Sequence, residues 1–161
     1  IMFACAIADV IAEKLHHKPI YSELIVNQAK NSDSAKILEN KKVSEIMQKD
    51  VKTISQDLSL QDALNEMNNA QHSFCPVIDH KNRLIGAILK SDIEDVLINC
   101  ENKNLKVKDI MDVNIITAEP DLNLYTLYFR LHSNNCDKAI VIDNNKKILG
   151  IISRYDIQEI L

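Results

Sequence analysis

Two aspartates are the residues with the clearest chemical potential in this sequence. Asp92 and Asp156 each stand six positions after one of its only two glycines, Gly86 and Gly150. A carboxylate there accepts hydrogen bonds from nearby donors, and it equally suits the first turn of a helix, where Asp is a favoured cap. The glycines lie 64 positions apart, so they cannot build the glycine-rich loop of a Walker-type or dinucleotide-binding motif.

The sequence lacks the motifs of common hydrolases and metalloenzymes. No GxSxG, HExxH or CxxC occurs, and the two aspartates fit caps better than acid and base roles. His72 with Cys75, and His132 with Cys136, do not have a usual zinc-ligand spacing. We therefore predict neither an enzyme nor a metal site, and we interpret the four cysteines as reduced thiols.

Composition indicates a globular chain with a real core. The 161 residues include 19 Lys and Arg against 23 Asp and Glu, a formal charge of −4, with 46% hydrophobic and 26% charged residues. These values suit one domain of typical size or two small ones. No long basic run is present to neutralise phosphates, so we do not expect nucleic-acid binding.

From Val43 onward the chain is a duplication with a constant offset of 64 residues and no gap. Such internal similarity predicts two copies of one structural unit. Equivalent positions include Val43 with Val107, Val77 with Val141, Gly86 with Gly150, Asp92 with Asp156, and Leu97 with Leu161.

Hydrophobic spacing predicts the same elements in each copy. Leu60, Ala63, Leu64 and Met67 have the i, i+3, i+4, i+7 spacing of an amphipathic helix. A short β-type run, VKTIS or IITA, precedes this helix, and the two apolar runs of a hairpin and a final helix follow it. The sequence therefore predicts an α+β fold of two β-α-β-β-α repeats, packed sheet to sheet with approximate twofold symmetry.

Residues 1–27 have a different character. The apolar run IMFACAIADVIA is shorter than the about 20 residues that span a bilayer, and the cationic group KLHHK follows it. We interpret this region as the end of a membrane helix and a juxtamembrane helical segment of a longer protein. An amphipathic helix packed on its own domain is the alternative. Residues 28–42 are polar and predict a linker with one helical turn around Ile37 and Leu38.

The duplicated pattern resembles a known family. Each copy has an opening VxxIM, a strand ending in VID and a closing Gly-x-x-x-x-x-Asp, an ordered set similar to a pair of cystathionine-β-synthase (CBS) domains, or Bateman module. The resemblance places repeat 1 at 43–98, a linker at 99–106 and repeat 2 at 107–161. It implies a regulatory, commonly homodimeric module that often binds AMP, ADP or ATP between the repeats.

The N-terminal segment carries a second resemblance. ACAIADVIAEKLHHKPIYSELI looks like the end of the last membrane helix of CLC-type chloride channels and transporters, which continues into a cytoplasmic CBS pair. The likeness covers about 22 residues and implies a membrane transport domain in the same chain. It also implies that the CBS pair lies on the cytoplasmic face of the membrane.

The family resemblance implies a nucleotide site in one of the two clefts. Repeat 2 reads GIISRYD, which puts Ser153 and Asp156 where the family binds ribose hydroxyls and Arg154 near the phosphates. The adenine side and its apolar walls are implied for five positions of repeat 1, namely Val51, Thr53, His72, Ser73 and Pro76.

The other cleft departs from the family pattern. Repeat 1 reads GAILKSD, which keeps Asp92 but has Leu89 where a hydroxyl is expected. The remaining positions implied for this cleft are Thr117, Cys136 and Asp137, and an acidic Asp137 is poorly suited to a base or a phosphate. We therefore expect this cleft to be the weaker nucleotide site.

The sequence is compatible with three functions. The first is a CBS pair that regulates a CLC-type chloride channel or chloride/proton antiporter by binding adenine nucleotide. The second is a structural dimerisation or docking module that binds no nucleotide, in which Asp92 and Asp156 are plain helix caps. The third is a regulatory CBS pair of another transporter or of a soluble enzyme.

Overall fold

The computed structural model describes residues 33–100 and 104–161. The chain forms two units, Ile1–Ile37 and Leu38–Leu161, and both repeats lie in the second. The helical segment predicted for 1–27, the membrane helix included, lies outside the described residues, as does the linker part 28–32. Within the described ranges, no helix combines the length and the hydrophobicity that a membrane crossing needs.

Both repeats have the predicted order of elements, and each also opens with a single helical turn. In chain order the described elements are α1 (Asp33–Asn40), α2 (Val43–Ile46), β1 (Ile54–Ser55), α3 (Leu60–Ala70), β2 (Phe74–Ile78), β3 (Leu84–Leu89), α4 (Lys90–Asn99), α5 (Val107–Ile110), β4 (Thr117–Ala118), α6 (Leu124–Ser133), β5 (Lys138–Ile142), β6 (Ile148–Ser153) and α7 (Arg154–Gln158). The α+β prediction is confirmed. The helical turn expected around Ile37 and Leu38 is longer, because α1 has eight residues.

The described strands form two three-stranded sheets, β1-β2-β3 and β4-β5-β6. In each sheet the first strand runs parallel to the second, and the second and third form the predicted antiparallel hairpin. The first strands are shorter than VKTIS and IITA suggest, with two paired residues each. The reason is that the chain just before them is bonded to the other repeat: Gln48 pairs with Ile151, and Asp112 with Ala87.

Polar caps fix where the long helices start. The Ser59 Oγ accepts a hydrogen bond from the Asp62 backbone N–H at 3.1 Å, and the Asn123 Oδ1 accepts one from the Thr126 N–H at 2.8 Å. Side-chain oxygens at this position satisfy donors that the first helical turn leaves unpaired. The apolar stripe predicted for α3 faces the core: Leu60, Ala63 and Met67 are buried, and Leu64 is partly buried.

The opening segments are exchanged between the repeats. Val43 belongs to repeat 1 in sequence, yet it is fully buried in the core of repeat 2, beside Leu124 and Leu127. Its backbone N–H donates to the Leu122 carbonyl at 2.9 Å. Val107 does the reverse and completes the core of repeat 1. Neither core is complete without the other repeat, which agrees with the marginal stability expected of a unit of about 55 residues.

The glycines lie where the exchanged segments cross the last strands. The Gln48 N–H donates to the Ile151 carbonyl at 2.8 Å, and the Ile151 N–H returns a bond to the Gln48 carbonyl at 2.9 Å. A Cβ on Gly150 would lie 2.8 Å from the Gln48 carbonyl oxygen, and one on Gly86 would lie 2.7 Å from that of Asp112. The absence of a side chain at each glycine therefore permits this close approach of the two backbones.

The sheets meet along an apolar seam that includes Leu84, Ala87 and Ile140. Phe74 and Ile151 pack against it from the two repeats. Since the contacts of one repeat recur in the other at an offset of 64 residues, the pair has the predicted approximate twofold symmetry.

Candidate functional site

Two symmetry-related clefts between the repeats are the candidate sites within the described residues. The large cleft has a volume of about 320 Å³, and its walls include Ser73, Phe74, Leu89, Asp92, Asp112, Asn114, Ile115, Ile116, Cys136, Asp137 and Lys138. The small cleft has a volume of about 80 Å³ and is lined by Gln48, Asp50, Val51, Lys52, His72, Phe74, Lys138 and Ile151. The larger space therefore lies on the Asp92 side, which the sequence marks as the weaker site.

The Asp92 side chain lines the large cleft, and its own helix does not engage it in a capping box. It is the third residue of α4, whose N-cap, Leu89, makes no side-chain cap bond. The carboxylate has a weak contact at 3.4 Å with the Ser91 hydroxyl. Leu89 is 43% exposed and adds an apolar surface to the cleft wall. This side of the cleft thus offers a charged acceptor beside a hydrophobic surface.

Ser153 and Asp156 satisfy each other in a capping box at the start of α7. The Ser153 hydroxyl and backbone N–H donate to the Asp156 Oδ2 at 2.8 and 2.7 Å, and the Asp156 N–H donates to the Ser153 Oγ at 3.1 Å. The structure thus brings together the two residues assigned to ribose, and it uses them as a helix cap. A ribose would have to compete with these bonds.

Arg154 is engaged within its own repeat. Its guanidinium forms an ion pair with the Asp137 carboxylate, and its backbone N–H donates to the Asp137 carbonyl at 2.8 Å. The Arg154 side chain is 30% exposed, whereas that of Asp137 is 75% exposed. The phosphate contact expected of Arg154 stays a prediction, and it requires this pair to open.

The other predicted site residues divide between the clefts and the core. Val51 and His72 line the small cleft, while Ser73 lines the large one. Pro76 is buried within β2, and Thr53 is half-buried just before β1. Thr117 pairs with Ile140 in β4 and is not among the residues that line the large cleft. Cys136 does line that cleft, and its Sγ donates to the Asn134 carbonyl at 3.4 Å.

Phe74 and Lys138 line both clefts, and the sequence reasoning missed them. The Lys138 Nζ lies 5.2 Å from the centroid of the Phe74 ring, within the range of a cation–π contact. The two positions are separated by the repeat offset of 64 residues and are therefore symmetry-equivalent. Their side chains meet because both lie beside the symmetry axis.

Burial and hydrogen bonding shift the pKa values of two groups near the sheet. Burial raises the pKa of the Cys75 thiol to about 11, so the thiol stays protonated and unreactive at neutral pH. Hydrogen bonds from the backbone and the side chain of Arg83 lower the pKa of Asp79 to about 2. Among the described residues, no group of three or more His, Cys, Asp and Glu side chains is placed to hold a metal ion.

Comparison with known sequences identifies the repeats. The family described as "CBS domain" matches residues 43–99 and 107–161. The inosine-5′-monophosphate dehydrogenase of Methanocaldococcus jannaschii is 31% identical over 117 residues, which cover 73% of this chain and 23% of that enzyme. The chain spans less than half the length of the curated relatives that it matches here.

Solved structures share the fold. The CBS domain pair of protein MJ0100, in complex with 5′-methylthioadenosine and S-adenosyl-L-methionine, is 24% identical, with a TM-score of 0.64 over 74% of this chain and 94% of that one. The CBS domain of a bacterial CNNM/CorC family Mg²⁺ transporter is 20% identical, with a TM-score of 0.70 over 98% and 93%. Because the matched family residues make up more than half of the chain and coincide with the two repeats, the chain belongs to the CBS domain family as a tandem pair.

Proposed function

We propose that this CBS pair is a regulatory module that binds an adenosine-derived ligand between its repeats. The observation that carries the proposal is the cleft of about 320 Å³ beside the Asp92 carboxylate. Small-molecule sites are mostly apolar concavities of about 300–1,000 Å³ with a few placed polar groups. The large cleft meets this description.

The chemistry of the walls suits a nucleoside. Ribose presents two neighbouring hydroxyls, and a carboxylate accepts both in charge-assisted hydrogen bonds. Asp92 provides that acceptor, while Leu89, Ile115 and Ile116 provide apolar surface for a flat base. The complex of protein MJ0100 with two adenosine derivatives supports the proposal, because that protein has the same fold.

The small cleft is a second proposed site, and its ligand is an adenine nucleotide. The resemblance assigns Asp156, Ser153 and Arg154 to ribose and phosphates, while the structure engages all three in a capping box and an ion pair. We propose that nucleotide binding opens these bonds and widens the cleft beyond about 80 Å³. Binding here is therefore slower and weaker than in a preformed site, because part of the interaction free energy only offsets the cost of the rearrangement.

Two symmetry-related variants test which cleft is used. Adenosine, AMP, ADP and ATP are titrated by calorimetry into the 161-residue chain, Asp92→Asn and Asp156→Asn. Loss of a charge-assisted bond weakens binding about 10- to 100-fold. We expect Asp92→Asn to weaken the ligand of the large cleft and Asp156→Asn that of the small cleft. Each variant is the control for the other, and thermal unfolding verifies that both fold.

The proposal fails if none of the four compounds binds, or if both variants bind them as the parent chain does. That outcome would favour the second candidate, a structural dimerisation or docking module. The specific observation in its favour is the Ser153–Asp156 capping box, which shows that these residues have a structural role without a ligand. Sedimentation with and without ATP separates the two, because a purely structural module dimerises without responding.

We further propose that the module regulates a membrane transport domain in the same chain, on the cytoplasmic face, as in CLC-type chloride channels or antiporters. The support is the CLC-like segment within residues 1–27, and a transporter CBS domain with this fold has a precedent in the Mg²⁺ transporter. A ligand shifts a gate only by its differential affinity for two states, typically about 1–3 kcal/mol.

Chloride flux through liposomes that contain the full-length protein, with and without adenine nucleotide, tests this assignment. We expect nucleotide to change the flux, and Asp156→Asn to abolish the change. Absence of chloride flux, or flux of another ion, would contradict the CLC assignment and favour a CBS pair of another transporter or of an enzyme.

A further inference from the structure

We infer that the large cleft selects its ligand by charge and prefers an uncharged or cationic adenosine derivative to a nucleotide. This inference deepens the proposed function and rests on it. It is based on Asp112 and Asp137, two acidic residues of the large cleft whose equivalents in repeat 1 are the uncharged Gln48 and Ser73.

The acidic groups surround the proposed ribose position. Asp92, Asp112 and Asp137 all line the large cleft, and Lys138 is the cation among its described lining residues. Asp112 accepts a hydrogen bond from the Asn114 N–H at 2.8 Å through Oδ1 and has no ion pair among the described residues. The negative charge of Asp137 is neutralised by its ion pair with Arg154. The cleft therefore keeps a net negative charge even after both cations are counted.

The small cleft has a different balance at the equivalent positions. Gln48 stands in place of Asp112, and Lys52 in place of Ile116. Lys52 contacts Glu66 at 3.2 Å, and Lys138, which lines this cleft as well, offsets the negative charge of Asp50, so this cleft is close to neutral. The approximate symmetry makes the two clefts alike in shape, and the side chains make them unlike in charge.

The excess negative charge of the large cleft disfavours a phosphate group there. Two like charges at about 6 Å repel by about 1–3 kcal/mol at the effective dielectric of a partly exposed site. A 5′-phosphate in the large cleft would face this repulsion from carboxylates beyond the one that binds ribose. A hydroxyl, a thioether or a sulfonium at the 5′ position would not. Added salt screens the effect.

The test compares ligands that share the adenosine part and differ in charge at the 5′ end. Adenosine, AMP and S-adenosylmethionine are titrated into the 161-residue chain at about 50 mM and about 500 mM salt. We expect adenosine and S-adenosylmethionine to bind at least about tenfold more tightly than AMP at low salt in the site that Asp92→Asn weakens. High salt should narrow this difference.

Asp112→Asn removes one carboxylate and keeps the oxygen that accepts the Asn114 bond. We expect it to improve AMP binding about threefold to tenfold and to leave adenosine nearly unchanged. Asp137→Asn should act in the same direction. The matched control is Asp95→Asn, which removes the same charge from the exposed face of α4 and does not line the cleft. It should leave the ratio of the two affinities unchanged.

The outcomes separate the inference from the proposed function. If AMP binds the Asp92-dependent site as tightly as adenosine at low salt, or if Asp112→Asn leaves their ratio unchanged, the charge inference is wrong while the proposed function stands. If no adenosine compound binds in a way that depends on Asp92, the proposed function is wrong and the inference falls with it.

Discussion

The Lys138 ammonium lies 5.2 Å from the centre of the Phe74 ring, and these two side chains form a wall common to both clefts. They occupy equivalent positions in the two repeats, so an identical pair at this place would stack phenylalanine on phenylalanine or set lysine against lysine. The unlike pair is attractive, and it places one positive charge where either cleft can use it.

This contact predicts a measurable coupling. A double-mutant cycle with Phe74→Leu and Lys138→Met should give an interaction free energy of about 0.5–1 kcal/mol, the usual value for a partly exposed cation–π pair. Urea unfolding of the four proteins measures it. Strict additivity of the two single changes would show that the side chains do not interact.

The crossing of the exchanged opening segments over the last strands predicts that the two glycines are unusually sensitive to substitution. Gly86→Ala puts a Cβ 2.7 Å from the Asp112 carbonyl oxygen, a backbone atom that has no rotamer with which to move away. We expect a loss of about 1–3 kcal/mol in the free energy of unfolding, as for other overpacked sites. The urea midpoint reports it. Ser55→Ala, at an exposed strand position, is the control and should change little. A Gly86→Ala midpoint equal to that of the parent would refute the tight crossing.

The exchange of opening segments predicts where a core mutation acts. Val107→Ala leaves a cavity in the core of repeat 1, although the residue belongs to repeat 2. We expect a loss of about 1–3 kcal/mol, with amide hydrogen exchange faster mainly in α3. Val43→Ala is the mirror experiment and should loosen α6. If each variant loosened only the repeat that carries it in sequence, the exchanged arrangement would be wrong.

The β2–β3 turn predicts an acid-sensitive contribution to stability. Arg83 lowers the pKa of Asp79 from 3.8 to about 2 in the folded chain. Because the folded pKa lies below the unfolded value, this contribution is present in full above about pH 4. It is lost as the pH falls toward 2.

Melting temperatures between about pH 2 and pH 6 follow this contribution. Asp79→Asn should flatten the dependence in this window. Asp143→Asn changes the equivalent turn, where Lys147 takes the place of Arg83 and gives a backbone bond at 2.8 Å, so it is the matched control. Identical pH profiles for Asp79→Asn and the parent chain would contradict the assignment.

Most of the fold could be predicted from sequence because its determinants are local and repeated. The stripe from Leu60 to Met67, the caps at Ser59 and Asn123, and the hairpin runs each specify an element within a few residues. The duplication then supplied the pairing of the two halves. The short first strands were not predicted, because their limits depend on backbone bonds from Gln48 and Asp112 to the other repeat.

The site was harder to predict, because motif residues can be satisfied without a ligand. Ser153 and Asp156 match the family motif and form a capping box with each other. Leu89 departs from the motif, and this departure is what leaves Asp92 without a capping partner at the edge of the large cleft. Sequence spacing places these residues at helix starts, but which cleft is open depends on side-chain packing between the repeats.

An NMR titration of the ¹⁵N-labelled chain with adenosine tests whether a ligand binds between the repeats. We expect the largest amide shifts on residues 87–92, 112–116 and 136–138, around the large cleft, and we expect Asp92→Asn to weaken them. No shifts at saturating adenosine, or shifts confined to the outer faces of α3 and α6, would contradict ligand binding between the repeats.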